Sequence, residues 1–413
     1  MTFTKKSANL IPINDSVFAI VAKAKEDIQQ HGEENVINAT IGTLYDEDGK
    51  LVALDTVFNH YDTISHSIKA AYASSFDGNP NFRKDVYDWI MQGNSTSLFH
   101  RVIATPGGSG AVSSTFTSVL DQQETVILPN IAWGSYRLMA SENNLQAVEY
   151  ELFDKDNNFN LDSLKKTVQQ VASKQERILL VINDPCQNPT GYSMQEEEWK
   201  QLVTFLNEAS VTNPIVLLDD IAYIDYGYHQ DTVRKYMETW NTLSDRVMVI
   251  VAFSCSKTMT SYGLRCGAAI VLSNNEQAVE EMKIVLEKKA RATWSNIPNA
   301  AMENFSWVIT NNKEAYLHEK QKYIDLLQKR SSIFLQEAKE VQLSHYPYKE
   351  GFFVTLRIDD NDQCIKVHQK LMDHHIYAVK VNHGIRVGIC SLPTHKIYGL
   401  AKKIKEVEDE VLG

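Results

Sequence analysis

Ser254-Cys255-Ser256-Lys257, followed closely by Gly263-Leu264-Arg265-Cys266-Gly267, comes directly after the apolar run 247–253. A short run so rich in Val, Ile and Phe reads as a strand covered on both faces. A lysine just past the end of such a strand reads as a covalent catalyst, an amine that condenses with a carbonyl. Eight residues on, Arg265 offers a planar guanidinium, and the Ser254 and Ser256 hydroxyls offer neutral donors. Together they suit a phosphate dianion.

Further runs lie at 102–104, 126–128, 177–182, 215–218 and 268–272, separated by longer amphipathic stretches. This alternation predicts an α/β fold with a largely parallel sheet between helices. Sites in such sheets collect at the carboxyl ends of the strands. From 311 to 341 the pattern becomes one long charged helix. Strand candidates at 352–358 and 386–389 follow, which reads as a smaller α+β domain. The expected division is an N-terminal segment 1–48 packed with the small domain, a large domain 49–312 and a small domain 313–413.

Forty-one Lys and Arg stand against 52 Asp and Glu, a net charge of −11. This disfavours nonspecific binding to nucleic acid or an anionic membrane, so any anionic substrate must be met by a local basic pocket. The five cysteines form no CxxC pair, which suggests neither a zinc site nor a disulfide framework; no metal is expected. Residues 1–20 carry Lys5, Lys6, Asn9, Pro12 and Asp15 among their apolar positions and contain no signal-peptide core. No apolar run approaches the roughly 20 residues of a membrane span. A cytoplasmic protein is expected.

The other motifs also follow strands. Thr105-Pro106-Gly107-Gly108-Ser109-Gly110-Ala111 reads as a phosphate-binding turn opening a helix, or as a plain strand-to-helix turn. Its Gly107-x-Ser109-x-Ala111 also approximates a hydrolase nucleophile elbow. Trp133 is placed to stack on a heteroaromatic ring, or to be core. Asn188-Pro189-Thr190-Gly191 makes a rigid turn presenting an amide. In Asp219-Asp220-Ile221-Ala222-Tyr223, a carboxylate can pair with a protonated ring nitrogen and the tyrosine can reach a phenolic oxygen; Asp220 has the better spacing, and the bland alternative is two solvated loop acids. Arg386, on a probable strand, can grip a carboxylate bidentately. Arg291 follows Lys288 and Lys289, a cluster that otherwise reads as solvated. Ser254-x-x-Lys257 matches an acyl-enzyme motif of penicillin-binding proteins, but the companion Ser-Asp-Asn and Lys-Thr-Gly are absent.

Taken in order over about residues 35 to 390, these motifs resemble the fold-type I pyridoxal-phosphate aminotransferases. The aspartate/aromatic branch is the most similar, through Ile37-Asn38-Ala39-Thr40-Ile41-Gly42 and Arg291-x-x-Trp294-Ser295-Asn296. The resemblance implies a seven-stranded, mostly parallel sheet and pyridoxal 5'-phosphate as cofactor. It implies that Lys257 holds the cofactor and moves the proton, with Asp220 at the ring nitrogen, Asn188 and Tyr223 at the phenolic oxygen, and Trp133 on the ring. Gly108, Ser109, Ser254, Ser256 and Arg265 hold the phosphate, with Tyr72 of a neighbouring subunit. Arg386 takes the substrate's α-carboxylate, Gly42, Trp133 and Asn188 line the substrate pocket, and a partner's Arg291 meets a distal carboxylate. The implied protein is a homodimer with active sites at the subunit interface, moving amino groups between an L-amino acid, aspartate or aromatic, and 2-oxoglutarate by a ping-pong mechanism. Three departures from the pattern stand out: Ser135 and Tyr136 replace the usual polar pair after the tryptophan, Thr260 replaces a common glycine, and Tyr72 lies one residue out of register with Phe82-Arg83. The alternatives are a serine hydrolase using Ser109 or Ser254, a pyridoxal-phosphate lyase or decarboxylase, and a noncatalytic protein on the same fold.

Overall fold

The computed structural model describes residues 3–5, 10 and 16–413; Lys6, Asn9, Pro12 and Asp15 of the N-terminal segment lie outside the described residues. The strands in chain order are β1 (Ile37–Asn38), β2 (Phe99–Pro106), β3 (Thr125–Pro129), β4 (Gln146–Tyr150), β5 (Ile178–Ile182), β6 (Ile215–Asp220), β7 (Val247–Ser254), β8 (Cys266–Ser273), β9 (Phe353–Arg357), β10 (Ile376–Tyr377), β11 (Val379–Val381) and β12 (Gly384–Gly388). β2 to β8 form one seven-stranded sheet in the order β2-β8-β7-β6-β5-β3-β4. β8 alone is reversed, antiparallel to both β2 and β7.

The continuous apolar runs have a direct cause. Successive strand residues face opposite sides, and both sides are covered. Leu179, Val181, Leu218, Ile250 and Ala252 pack in one core with Phe116 and Leu286. Their neighbours Leu180, Leu217, Val249 and Val251 pack in another with Trp199, Leu202 and Trp240. The strand of this seven-stranded sheet that sequence reasoning did not find is β4; the short β1, β10 and β11 outside it were not found either. β4 lies at the sheet edge, and its Gln-Ala-Val-Glu-Tyr is largely exposed, so it carries no apolar run.

Apart from these two sheet-face cores, a smaller one gathers Ile37 and Ala39 with Phe334, Val354, Val367 and Ile385. It covers the three-stranded sheet β11-β12-β9, and β1 pairs in parallel with β10 beside it. The helix Lys313–Glu340 spans this core and the larger of the other two: Tyr316, Ile324 and Leu327 belong to the larger, Phe334 and Ala338 to the smaller. Between them the fully buried Arg330 donates to the carbonyl of Tyr45 at 2.9 Å and to Glu47 Oε1 at 2.6 Å.

Asp225 is the main buried charge. Its Oδ1 meets Arg234 Nη2 at 2.6 Å and Lys320 Nζ at 3.3 Å, and its Oδ2 accepts from Trp89 Nε1 at 3.0 Å and Thr258 Oγ1 at 2.6 Å. Burial opposes its ionisation, but the two cations and the two donors win and hold its pKa well below the carboxylate range. Asp225→Ala strands two buried cations. We expect it to cost about 3–5 kcal/mol in urea unfolding; a loss below about 1 kcal/mol would show that the cluster is not the tie described.

Candidate active site

The reversal of β8 builds the floor of the site. Because β8 enters where its neighbours end, Cys266 pairs with Pro106 and Gly267 with Ser254, so Arg265 arrives between the ends of β2 and β7. Its Nη1 donates to Ser256 Oγ at 3.2 Å and to the Tyr262 carbonyl at 2.8 Å, and its Nη2 to the Pro106 carbonyl at 3.3 Å. Gly107, at φ +68°, opens the helix Gly107–Val119; a Cβ there would sit 2.5 Å from Arg265 Nη2. A Cβ on Gly108 would crowd Ser254 Cβ at 3.3 Å. Backbone N–H groups of a helix's first turn lack intrahelical acceptors, so glycines, hydroxyls and the guanidinium together make an anion cradle.

The cradle is one end of a cavity of about 1280 Å³ whose lining includes Gly42, Gly108, Ser109, Trp133, Asn188, Asp220, Tyr223, Ser254, Ser256, Lys257, Arg265 and Arg386. Twelve of the fourteen residues singled out from sequence therefore meet in one cavity. Tyr72 and Arg291 do not line it. Tyr72 is 82% exposed. Arg291 is exposed, lies over the Phe76 ring at 4.9 Å and donates to Ser295 Oγ at 2.7 Å.

Lys257 Nζ donates to the Gly42 carbonyl and lies 4.6 Å from the Tyr262 ring centre and 5.4 Å from that of Tyr223. Desolvation, helped by the nearby Arg386 and Arg265 and opposed by Cys390, lowers its pKa to about 8. Arg386 Nη1 donates to Asn188 Oδ1 at 3.2 Å and Nη2 to the Thr40 carbonyl at 2.9 Å, with the guanidinium 4.3 Å above the Phe353 ring. Asn188 Nδ2 in turn reaches Tyr223 Oη at 3.5 Å. Burial raises the Tyr223 hydroxyl's pKa strongly.

Asp219 and Asp220 point apart, and neither is a solvated loop acid: both are buried. Asp219 Oδ2 accepts from Tyr236 Oη at 2.8 Å, away from the cavity; Asp220 lines it. Burial raises the Asp220 pKa, opposed by the Tyr136 hydroxyl on Oδ2 at 2.6 Å and the Ala222 amide on Oδ1 at 3.1 Å. Tyr136 thus fills, with its own donor, the position where the sequence departs from the usual polar pair. It is 1% exposed and meets Trp133 edge-on at 5.4 Å. Asn183 was likewise not singled out. It receives the Asn188 amide at 2.8 Å and donates to the Asp220 carbonyl at 2.6 Å, so it fixes two site residues through backbone. Tyr136 stands three residues after Trp133, on the next turn of a short helix, and that spacing was the available signal. Thr260, another departure, sits at φ +48° and accepts the Leu54 amide at 3.0 Å.

The family model described as "Aminotransferase class I and II" matches residues 34–404. The chain belongs to the class I and II aminotransferases. An aminotransferase from Anaerococcus prevotii is 34% identical, with a TM-score of 0.95 and full coverage of both chains. The aspartate aminotransferase of Escherichia coli strain K12 is 24% identical over 283 residues, 67% of this chain and 69% of that protein. An aromatic-amino-acid aminotransferase from Burkholderia pseudomallei, solved covalently bound to pyridoxal phosphate, shares the fold at 19% identity and a TM-score of 0.79, covering 98% of this chain and all of that one. This aminotransferase is a pyridoxal-phosphate enzyme, and its cavity fits that group: an anion cradle, a desolvated lysine, a buried carboxylate and an indole face one space. The hydrolase reading falls with this. No histidine is among the described residues lining the cavity to act as base for Ser109 or Ser254. The lyase and noncatalytic readings give way to the family's transaminase chemistry.

A lysine pKa lowered to about 8 means that its proton is lost, and its amine becomes nucleophilic, as pH rises through that value. The rate at which cofactor-free aminotransferase takes up pyridoxal phosphate, followed by absorbance, is therefore expected to climb with pH about a midpoint near 8. Arg386→Leu removes a cation that disfavours the ammonium, so its midpoint should move upward. A wild-type midpoint near the ordinary lysine value of about 10.4 would contradict the desolvation argument.

Proposed function

We propose that this aminotransferase moves an amino group between an L-amino acid, aspartate or an aromatic one, and 2-oxoglutarate by a ping-pong mechanism, as a cytoplasmic homodimer with active sites at the subunit interface. The observation that carries the reading is the convergence of a lowered-pKa Lys257 amine, the Asp220 carboxylate and the Arg386 guanidinium on one cavity. We take residues 49–312 as the cofactor-binding domain and 313–413, joined by 1–48, as the small domain; the smaller core, drawn only from Ile37, Ala39 and residues from Phe334 onward, supports this division.

Pyridoxal phosphate, when bound, supplies an electron sink that makes a substrate's Cα–H acidic. The chain's residues do the rest. Lys257 Nζ, neutral for much of the time near pH 8, accepts the Cα proton and returns it. Asp220 keeps a positive charge at the ring nitrogen, and Tyr136 holds Asp220 ionised and in place. Trp133 stacks on the ring, while Asn188 and Tyr223 steady its phenolic oxygen. Gly108, Ser109, Ser254, Ser256 and Arg265 hold the phosphate. Arg386 fixes the substrate's α-carboxylate in the plane of its fork, with Gly42 on the pocket wall.

Tyr72 and Arg291 are proposed to serve the partner subunit, at its phosphate and at its substrate's distal carboxylate. Their surface positions, off their own chain's cavity, support this. So does the similarity to aspartate and aromatic aminotransferases. The cytoplasmic assignment draws on five free, buried cysteines. Among the described residues no helix is long and apolar enough to cross a membrane.

Two measurements test the reading. Initial rates with both substrates varied should give parallel double-reciprocal lines; intersecting lines would rule out the two-stage exchange. Arg291→Leu removes a charge-assisted contact worth about 1.5–3 kcal/mol. It should lower kcat/KM for aspartate and 2-oxoglutarate by roughly 10- to 100-fold while sparing phenylalanine. Equal losses on both would remove Arg291 from the substrate.

A further inference from the structure

We propose that Asp27, His31 and His375, none of which lines the catalytic cavity, form a binding site for a divalent transition-metal ion of the zinc class. Asp27 and His31 stand one turn apart on the helix Ser16–His31, on the same face. His375 is brought to them by the turn that leads into β10, where it sits at φ +60° and its carbonyl accepts the Ile37 amide at 2.9 Å. His31 Nδ1 lies 2.7 Å from Asp27 Oδ1, and His375 Nδ1 lies 2.7 Å from Asp27 Oδ2. The imidazole ring centres are 4.6 Å apart, and the three ligand atoms lie within 4.8 Å of one another. Among the described residues this is the one group of three His, Cys, Asp or Glu side chains so gathered.

Two imidazoles and a carboxylate suit zinc, nickel, cobalt or ferrous iron, and do not suit magnesium or calcium, which take oxygen ligands. Metal–ligand distances of about 2.0–2.2 Å put the ligands of a tetrahedral ion roughly 3.4 Å apart. The spacings here bracket that value, so small rotations of two half-exposed imidazoles suffice. The side chains of His31 and His375 are 47% and 39% exposed and that of Asp27 is 9% exposed. The carboxylate is thus held from below, while the outer side is open for entry and for water ligands. The Tyr377 hydroxyl also bonds Asp27, in the manner of the outer groups that orient metal-binding carboxylates. On binding, each Nδ1 gives up its hydrogen-bonded proton, which moves to Nε2 or to solvent, and its lone pair goes to the ion; no redox step is involved. The ion would staple the N-terminal helix to β10, next to the β1 pairing that leads on to Thr40 and Gly42.

The test is calorimetric titration of the holoenzyme with zinc chloride at neutral pH, alongside His31→Gln, His375→Ala and the double variant. We expect one zinc per chain, affinity weakened roughly 100-fold or more by either substitution, and no uptake of magnesium at the same site. The same samples should show zinc raising the melting temperature of the parent and not of the double variant. No uptake by the parent, or equal stoichiometry and affinity in the double variant, overturns the proposal. His31 is exposed, so His31→Gln keeps the test valid if His375→Ala fails to fold. Retained transamination in the variants shows that the catalytic site is intact.

Discussion

One buried carboxylate, Asp225, ties together the parts that have to stay together. It accepts from Trp89 of the helix Pro80–Met91, from Arg234, from Lys320 of the long helix and from Thr258, the residue after Lys257. The helix Cys255–Thr258 has only four residues, too short to hold a side chain rigidly by itself. Its C-terminal end is fixed from two sides, by Asp225 on the Thr258 hydroxyl and by Tyr316 Oη on the Thr258 carbonyl at 2.6 Å. Breaking such a pair is costly because the remaining charges cannot reach water. The position of Lys257 therefore rests on electrostatics outside the cavity lining, which does not include Asp225.

Above that anchor the cavity collects cations. Lys257, Arg265 and Arg386 face a space whose deep carboxylate is Asp220; of the others on its wall, Glu149 is already paired with Arg137 at 2.5 Å. Arg386 and Arg265 make the ammonium of Lys257 less favourable, and desolvation does more, so the excess positive charge appears as a lysine that gives up its proton near pH 8. Asp220 is under the opposite pressure: burial pushes it towards the neutral acid, and the Tyr136 hydroxyl pulls it back. The cavity thus lowers the pKa of its amine while a hydrogen bond opposes the burial that favours the neutral form of its deep carboxyl, a pairing of shifts of the kind that clusters at functional sites.

The sheet was largely legible because strands covered on both faces must be apolar throughout: runs at 215–218 and 247–253 became β6 and β7 with both faces buried. β4 was not legible, since an edge strand with exposed Gln146 and Glu149 has no such requirement. The site followed the same division. Residues that follow or end a strand and line the cavity, such as Lys257, Asp220 and Asn188, fall in short local motifs. Residues that act through them do not: Asn183 reads as one more polar loop residue until its bonds to Asn188 and Asp220 are seen. Asp225 falls in no motif, because its partners Trp89, Arg234, Thr258 and Lys320 are scattered over more than 200 positions. Tyr72 and Arg291 present the opposite case: motifs singled them out, and both are exposed, away from the cavity lining.

The N-terminal segment connects these themes. The guanidinium of Arg386 donates to the carbonyl of Thr40, and the amine of Lys257 to the carbonyl of Gly42, two residues along the same stretch. Just upstream, Ala39 is held by the Tyr377 carbonyl at 2.8 Å and accepts the Gly388 amide at 2.8 Å, so the stretch is clamped to the smaller core at one end and to two cations of the cavity at the other. Backbone carbonyls thus satisfy donors that the proposed chemistry assigns to a substrate carboxylate and a reacting carbon. A carboxylate is a stronger acceptor than a neutral carbonyl, so substrate competes favourably for Arg386 and frees Thr40 as it does so. Under the proposed function, occupancy of the substrate site and the seating of residues 40–42 are therefore a single equilibrium, with the β1–β10 pairing as its fixed end.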